Sequence, residues 1–268
     1  MSKTCLFCGS PGPFSAEHIV PESLGNDDLI LNEEVCSACN RHFSKIEEFV
    51  LQNTIIAFWR VFLGIRSKRG SLPSANLSQP KRDKGRFRSR HPRHTDLVSF
   101  SAHEDGSTSA DIDDPEILRR MLNNECGRFE FVMTPKVLFN LGRFLCKMGI
   151  ESICSNHSSI ARHSMFDTAR KFARSGSPTE LWPIFHYSEG NLKDFRRVRP
   201  DVGGYIEEVE CYSHAIINYG DEFCLFRFGM GTDNWIVCLN DPYPTPEISA
   251  AFPNARIQCI WYSSDEIR

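Results

Sequence analysis

Two Cys-x-x-Cys pairs, Cys5 with Cys8 and Cys36 with Cys39, stand 27 residues apart near the start of the chain and constrain its fold more than any other feature. Four thiolates at this spacing close a tetrahedral zinc site with no open position, so the metal they imply is structural. The interval exceeds that of a minimal zinc ribbon. It leaves room for a β-hairpin whose residues face a helix beginning just after Cys39. A fragment of this size is too small to fold on its own core, and zinc would hold it together. The chain has eleven cysteines, an odd count that fits metal in a reducing compartment better than a disulfide framework. The other seven (Cys126, Cys146, Cys154, Cys211, Cys224, Cys238 and Cys259) lie mostly in apolar runs and read as small core residues. A second metal site at Cys154 and His157 has little in the sequence to support it.

The formal net charge of -3 conceals an asymmetry. Residues 66–94 hold ten Lys or Arg against one acid, Asp83, whereas the first fifty residues hold three bases and eight acids. An acidic chain with one concentrated basic segment points to a polyanion-binding element attached to something that is not itself basic. No stretch approaches the ~20 consecutive apolar residues that span a bilayer, and no apolar run follows the first lysine. The expectation is therefore a globular protein of the cytoplasm with no membrane partner.

Three regions are expected: residues 1–63, a mobile basic segment over 64–94 rich in Ser, Gly, Pro and Arg, and residues 95–268. In the first, apolar Phe43, Ile46, Val50 and Ala57 predict a helix from near Asn40, with no Gly or Pro before Gly64. In the third, Thr134 followed by Pro135 predicts a helix start, and Ser164 with Asp167 resembles a capping box for a helix that stops at Gly176. Four β-rich runs, Tyr205 to Ile217, Phe223 to Met230, Trp235 to Leu239 and Ile257 to Tyr262, predict an antiparallel meander. The whole reads as α+β: a small N-terminal zinc-stabilised module followed by an α+β domain that targets or regulates it. His163, His186 and His214 read as structural, and Arg170, Lys171 and Arg174 as a solvated helix face.

Between and just after the cysteine pairs stand Glu17-His18-Ile19-Val20-Pro21, Leu24-Gly25 and Cys39-Asn40. With these residues the chain resembles the HNH, or His-Me finger, endonucleases that carry a zinc knuckle, the endonuclease VII type, over about residues 5–49. The resemblance implies a ββα-metal finger and a metal-dependent DNA endonuclease. By the family's assignment His18 is the general base, and Glu17 and Asn40 hold one catalytic Mg²⁺ or Mn²⁺, hard ions suited to oxygen donors. The Zn²⁺ on Cys5, Cys8, Cys36 and Cys39 is a separate, structural ion. The family's middle Asn, which orients the hairpin, falls on Leu31, so Asn32 is a match shifted by one. Ser44 stands where many members place a further metal-binding His, and His42 points to another face and receives no metal role.

Arg82, Arg86, Arg88 and Arg90 of the basic segment are the expected contacts to DNA phosphates. Two alternatives stay open: a catalytically silent zinc DNA-binding protein, and a nuclease effector of a bacterial defence system gated by a partner or signal ligand at its C-terminal domain.

Overall fold

The computed structural model describes residues 3–67, 69–78, 97–104, 107–112, 119, 122–123, 133–177, 182–189, 196–201, 204–209, 211–219, 223–240 and 256–257. They form two compact units, one of residues 1–53 with 133–268 and the other of residues 54–132. These divisions differ from those expected at 63 and 94. The reason is that the cysteine-bearing segment shares its packing with a helix from far along the chain.

In the first unit, strands β1 (Phe14–His18) and β2 (Ile30–Cys36) form an antiparallel hairpin, and helix α1 (Ser37–Asn53) follows at once. The helix buries Cys39, Phe43, Ile46 and Val50, at the spacing read from the sequence. It is shorter than expected. Thr54 takes an extended conformation and its hydroxyl accepts from the Ile56 amide, capping a new helix, α2 (Ile55–Phe62). A β-branched cap ends the first helix without Gly or Pro.

Helix α3 (Pro135–Asn156) is the centre of this unit. Thr134 caps it by accepting from the Val137 amide, with Pro135 at its first turn, as the sequence predicts. It is buried on nearly every side, packing on α1 and β2 and on strands of the large sheet. Gly149 permits that sheet contact, since a Cβ there would lie 2.8 Å from a Leu239 methyl and 2.9 Å from Phe226 Cβ. A short helix, α4 (Ser158–Ala161), leads to α5 (Asp167–Ser175), which ends at Gly176 in the left-handed conformation. The expected capping box does not form. Residues 164–166 make a tighter turn capped by His163, and α5 starts only at Asp167.

The large sheet comprises β6 (Phe185–Ser188), β9 (Ser213–Tyr219), β10 (Phe223–Met230), β11 (Asp233–Cys238) and β12 (Arg256–Ile257), in the order β12-β6-β11-β10-β9. Its β9-β10-β11 portion is the expected antiparallel meander. The first predicted run is divided: its early half is β8 (Gly204–Val209), which pairs with β7 (Arg196–Asp201) in a separate hairpin. Residues 258–262, the end of the last predicted strand, lie outside the described residues.

In the second unit, α2 packs on a three-stranded antiparallel sheet of β3 (Ser74–Ser78), β4 (Leu97–Ala102) and β5 (Thr108–Ile112). Ala57, Val61, Ala75, Phe100 and Ala102 form its core, with Phe58 packed edge-on against Phe100. Residues 74–78, expected within the mobile segment, are thus a paired strand. Arg82, Arg86, Arg88 and Arg90 lie outside the described residues. Among the described residues no helix is long and apolar enough to cross a membrane.

Candidate functional site

The sulfurs of Cys5, Cys8, Cys36 and Cys39 all lie within 4.8 Å of one another, and those of Cys8 and Cys36 are 3.6 Å apart. Four sulfurs at ~2.3 Å from a central zinc would be about 3.8 Å apart, so the cluster fits a tetrahedral ion. Two donors already point at sulfur: the Cys36 amide to Cys5 at 3.3 Å and Arg174 Nε to Cys39 at 3.1 Å. Both act in favour of the thiolate, although the hydrogen bond to Cys5 and burial together raise the Cys39 thiol. A hydrogen bond from Cys39 is the largest influence on Cys5, whose thiol is lowered to about 4. Among the described residues no other group of three or more His, Cys, Asp or Glu could hold a metal. Cys146, Cys154, Cys224 and Cys238 are buried, and burial pushes the Cys154 thiol up to about 11. Cys126 and Cys259 lie outside the described residues.

The hairpin is asymmetric. Ser15 pairs with Val35 and Glu17 with Leu31, so Ala16 alone faces the three residues Asn32, Glu33 and Glu34. Glu33 takes φ 59° to make this bulge. Asn32 is thereby left exposed on the bulge. Asn26, which is 1% exposed, instead holds the turn of the hairpin through its side-chain amide. Its Nδ2 donates to Val20 O at 2.6 Å and Leu29 O at 3.1 Å, while its Oδ1 accepts from the Leu29 and Asp28 amides at 2.8 and 3.3 Å. The signal was the dipeptide Gly25-Asn26, in which a short amide can satisfy the backbone of its own turn. Across the helix start, Asn40 Nδ2 donates to Ala16 O at 2.8 Å, clamping α1 to β1 and leaving its Oδ1 as an oxygen donor.

Glu17 and His18, adjacent on β1, point to opposite sides. The His18 side chain is 28% exposed, and its Nε2 is 3.9 Å from Glu22 Oε2. Its Nδ1 is buried and has no hydrogen-bond partner. Buried polar atoms are seldom left so in a native structure, and those that are tend to mark function. Glu22, four residues after His18, was not singled out from the sequence.

Glu17 turns inward, where the ammonium of Lys147 on α3 meets its Oε1 at 2.7 Å, Glu47 Oε1 at 2.9 Å, Glu151 Oε2 at 3.0 Å and the His18 carbonyl at 2.8 Å. Lys147 is 1% exposed, Glu17 4% and Glu151 0%. Burial raises both Glu17 and Glu151, Glu151 well above the usual carboxylate range. Against the same burial, the three acids hold Lys147 charged. The expectation that Glu17 is simply a metal ligand therefore needs correcting. One of its oxygens anchors a buried ammonium from 130 residues away, which leaves Oε2, with Asn40 Oδ1, as the remaining oxygen donors of the expected ligand set. That pair, a carboxylate and an amide oxygen, still has the chemistry a hard divalent cation prefers.

Lys147→Met should lower unfolding free energy by about 3–5 kcal/mol in urea titrations of the zinc-loaded chain, because it strands buried acids without their cation. Part of the loss should return at lower pH. Raised carboxyls such as Glu151 stabilise the fold when protonated and cost stability as pH rises through their folded-state pKa. A variant as stable as the wild type at pH 7 would show the cluster is not a structural anchor.

A four-cysteine cluster that could hold zinc, a bulged hairpin bearing an outward histidine, and a helix whose first turn clamps the hairpin have the strand–strand–helix order of the ββα-metal finger the resemblance implied. Residues 5–54 match the family model of HNH endonucleases, and this match supports nuclease activity in general. No curated protein and no solved structure gives a significant match.

Proposed function

We propose that the chain is a metal-dependent DNA endonuclease. His18 is the general base and hydrolyses phosphodiester bonds by taking a proton from the attacking water. Its exposure lies away from the buried Nδ1, and the Glu22 carboxylate stands 3.9 Å from Nε2. Asn40 Oδ1 and Glu17 Oε2 would hold one Mg²⁺ or Mn²⁺, which when bound supplies positive charge to the phosphate and the leaving oxygen. Asn26 and the Asn40 clamp keep β1, and hence His18, in place. Arg82, Arg86, Arg88 and Arg90 contribute phosphate contacts. The observation that carries this reading is His18 itself: a partly exposed imidazole with an orphaned nitrogen, on the hairpin of a segment that matches HNH endonucleases.

One observation favours a second reading, a zinc protein that binds DNA without cutting it: the carboxylate expected on the catalytic metal is already bonded to Lys147. Plasmid nicking separates the two. The zinc-loaded wild type should convert supercoiled DNA to nicked or linear product on addition of Mg²⁺ or Mn²⁺ and not before. Asn40→Ala should keep its zinc but need several-fold more Mn²⁺ for half-maximal rate. No cleavage by a folded, zinc-loaded chain with either ion would favour the silent reading.

A further inference from the structure

The strongest group of charges not used above lies beside the zinc knuckle. On α1, His42 and Lys45 follow Asn40; Arg143 projects from α3; Lys171 and Arg174 come from α5. Arg143 Nη2 meets His42 Nε2 at 2.7 Å and donates to Arg174 O at 3.1 Å, while its Nε donates to Ala173 O at 3.2 Å. One guanidinium thus joins α1 to the C-terminal end of α5. Next to it is an open depression of about 430 Å³ lined by Phe7, Asp167, Arg170, Lys171, Arg174 and Ser175. Its one acid, Asp167, is paired with Arg170, which is itself bound to the carbonyls of Ala161, Arg162 and His163. Among the described residues, Lys45, Arg143, Lys171 and Arg174 have no carboxylate within ion-pair distance. The solvated helix face expected for Arg170, Lys171 and Arg174 is accordingly a more specific structure. Arg170 is a buried tie, Arg174 touches a zinc-knuckle sulfur, and Lys171 is exposed.

Such a cluster opposes itself. Burial with Arg174, Arg143 and Lys45 lowers His42, and burial with Arg174 lowers Arg143 to about 10. Lys171 and Arg174 in the lining, with Arg143 and Lys45 beside His42 next to it and Asp167 already paired with Arg170, are arranged for an anion supplied from outside. Position says which anion. Arg143 lies one helical turn, about 6 Å of rise, before Lys147 on α3, and Lys147 holds the backbone of His18. The first fifty residues are acidic and offer little attraction of their own.

We propose that the depression on α5 lined by Lys171 and Arg174, together with the adjoining Arg143 and Lys45 beside His42, is a phosphate-backbone site that lays a DNA strand beside the zinc knuckle and toward His18. This rests on the nuclease reading and adds a grip within the first unit that is separate from the segment carrying Arg82 to Arg90. The contacts are to phosphate, so they set position and contribute affinity without reading sequence. The Phe7 ring in the lining offers an apolar surface to a sugar.

The test is fluorescence anisotropy of the full zinc-loaded chain with a labelled DNA duplex, without Mg²⁺ or Mn²⁺, across a salt series. Lys45→Gln/Lys171→Gln changes two exposed side chains that hold no ion pair among the described residues, and melting temperature and zinc content check that it folds as the wild type does. The double variant should bind at least ~10-fold more weakly near 0.1 M salt, with the slope of log K against log salt shallower by about 2, as expected for two lost phosphate contacts. The pair Lys45→Glu/Lys171→Glu should lose more. Wild-type affinity and slope in both folded variants, with the loss confined to Gln substitutions at Arg82, Arg86, Arg88 and Arg90, would overturn the site while leaving the nuclease reading intact. Absence of any DNA binding by the wild type would overturn both.

Discussion

Cys36→Ser should release the zinc and melt the hairpin together with the first turns of α1. Cys36 is the last residue of β2 and directly precedes α1, and its amide donates to Cys5 Sγ, so it supplies a metal ligand and a backbone tie at once. Structural zinc binds small finger peptides with about 10–16 kcal/mol of apparent free energy, much of which acts as folding free energy. That is comparable to the whole ~5–15 kcal/mol by which ordinary domains are stable. Contacts from α3, α4 and α5 remain in this protein: Lys147 to Glu17 and Glu47, Arg143 to His42, and Arg162 to Glu34 at 2.5 Å. The expected result is therefore a local loss of protection over residues 5–45 in hydrogen exchange, with the large sheet retained. Elemental analysis should find one zinc per wild-type chain and none in the variant. A reduced, metal-replete wild type without stoichiometric zinc would refute the four-cysteine assignment.

His18→Ala should reduce the rate of DNA cleavage by about 10²- to 10⁴-fold, the usual contribution of a positioned general base. Its effect on the fold should be slight. The side chain is partly exposed and its Nδ1 satisfies nothing, while the bond that ties this residue to Lys147 uses the backbone carbonyl, which alanine keeps. Zinc content, melting temperature and DNA affinity should match the wild type. A folded His18→Ala protein that cleaves at near-normal rate would remove the mechanism and shift attention to Glu22.

Much of the local structure was legible because its causes are local. The pairs Cys5/Cys8 and Cys36/Cys39 required a hairpin-sized insert between ligands, and the hairpin is there. Thr134-Pro135 specified a helix start, Gly176 a helix end, and the alternating apolar runs from Ser213 to Cys238 three strands of a meander. Local signals misled where a nearby alternative satisfied the same need. Thr54 capped a second helix where the apolar spacing suggested one continuous helix. The bulge at Glu33 moved Asn32 outward, and Asn26 took over the turn.

What the chain's own order determined was thus the zinc ligands, the adjacency of Glu17 and His18, and the position of Asn40 at the start of α1. These follow from spacing along one segment. Tertiary structure alone decided that Glu17 faces a buried lysine, that α3 completes the module which carries the histidine, and that Arg143, Arg174 and Lys45 converge beside the knuckle. Most of these join residues about a hundred positions apart or more, and Arg143 and Arg174 are themselves 31 apart. Sequence periodicity specifies which face of an element is turned inward but not which distant element will meet it; that choice is set by packing and by the need of every buried charge for a partner.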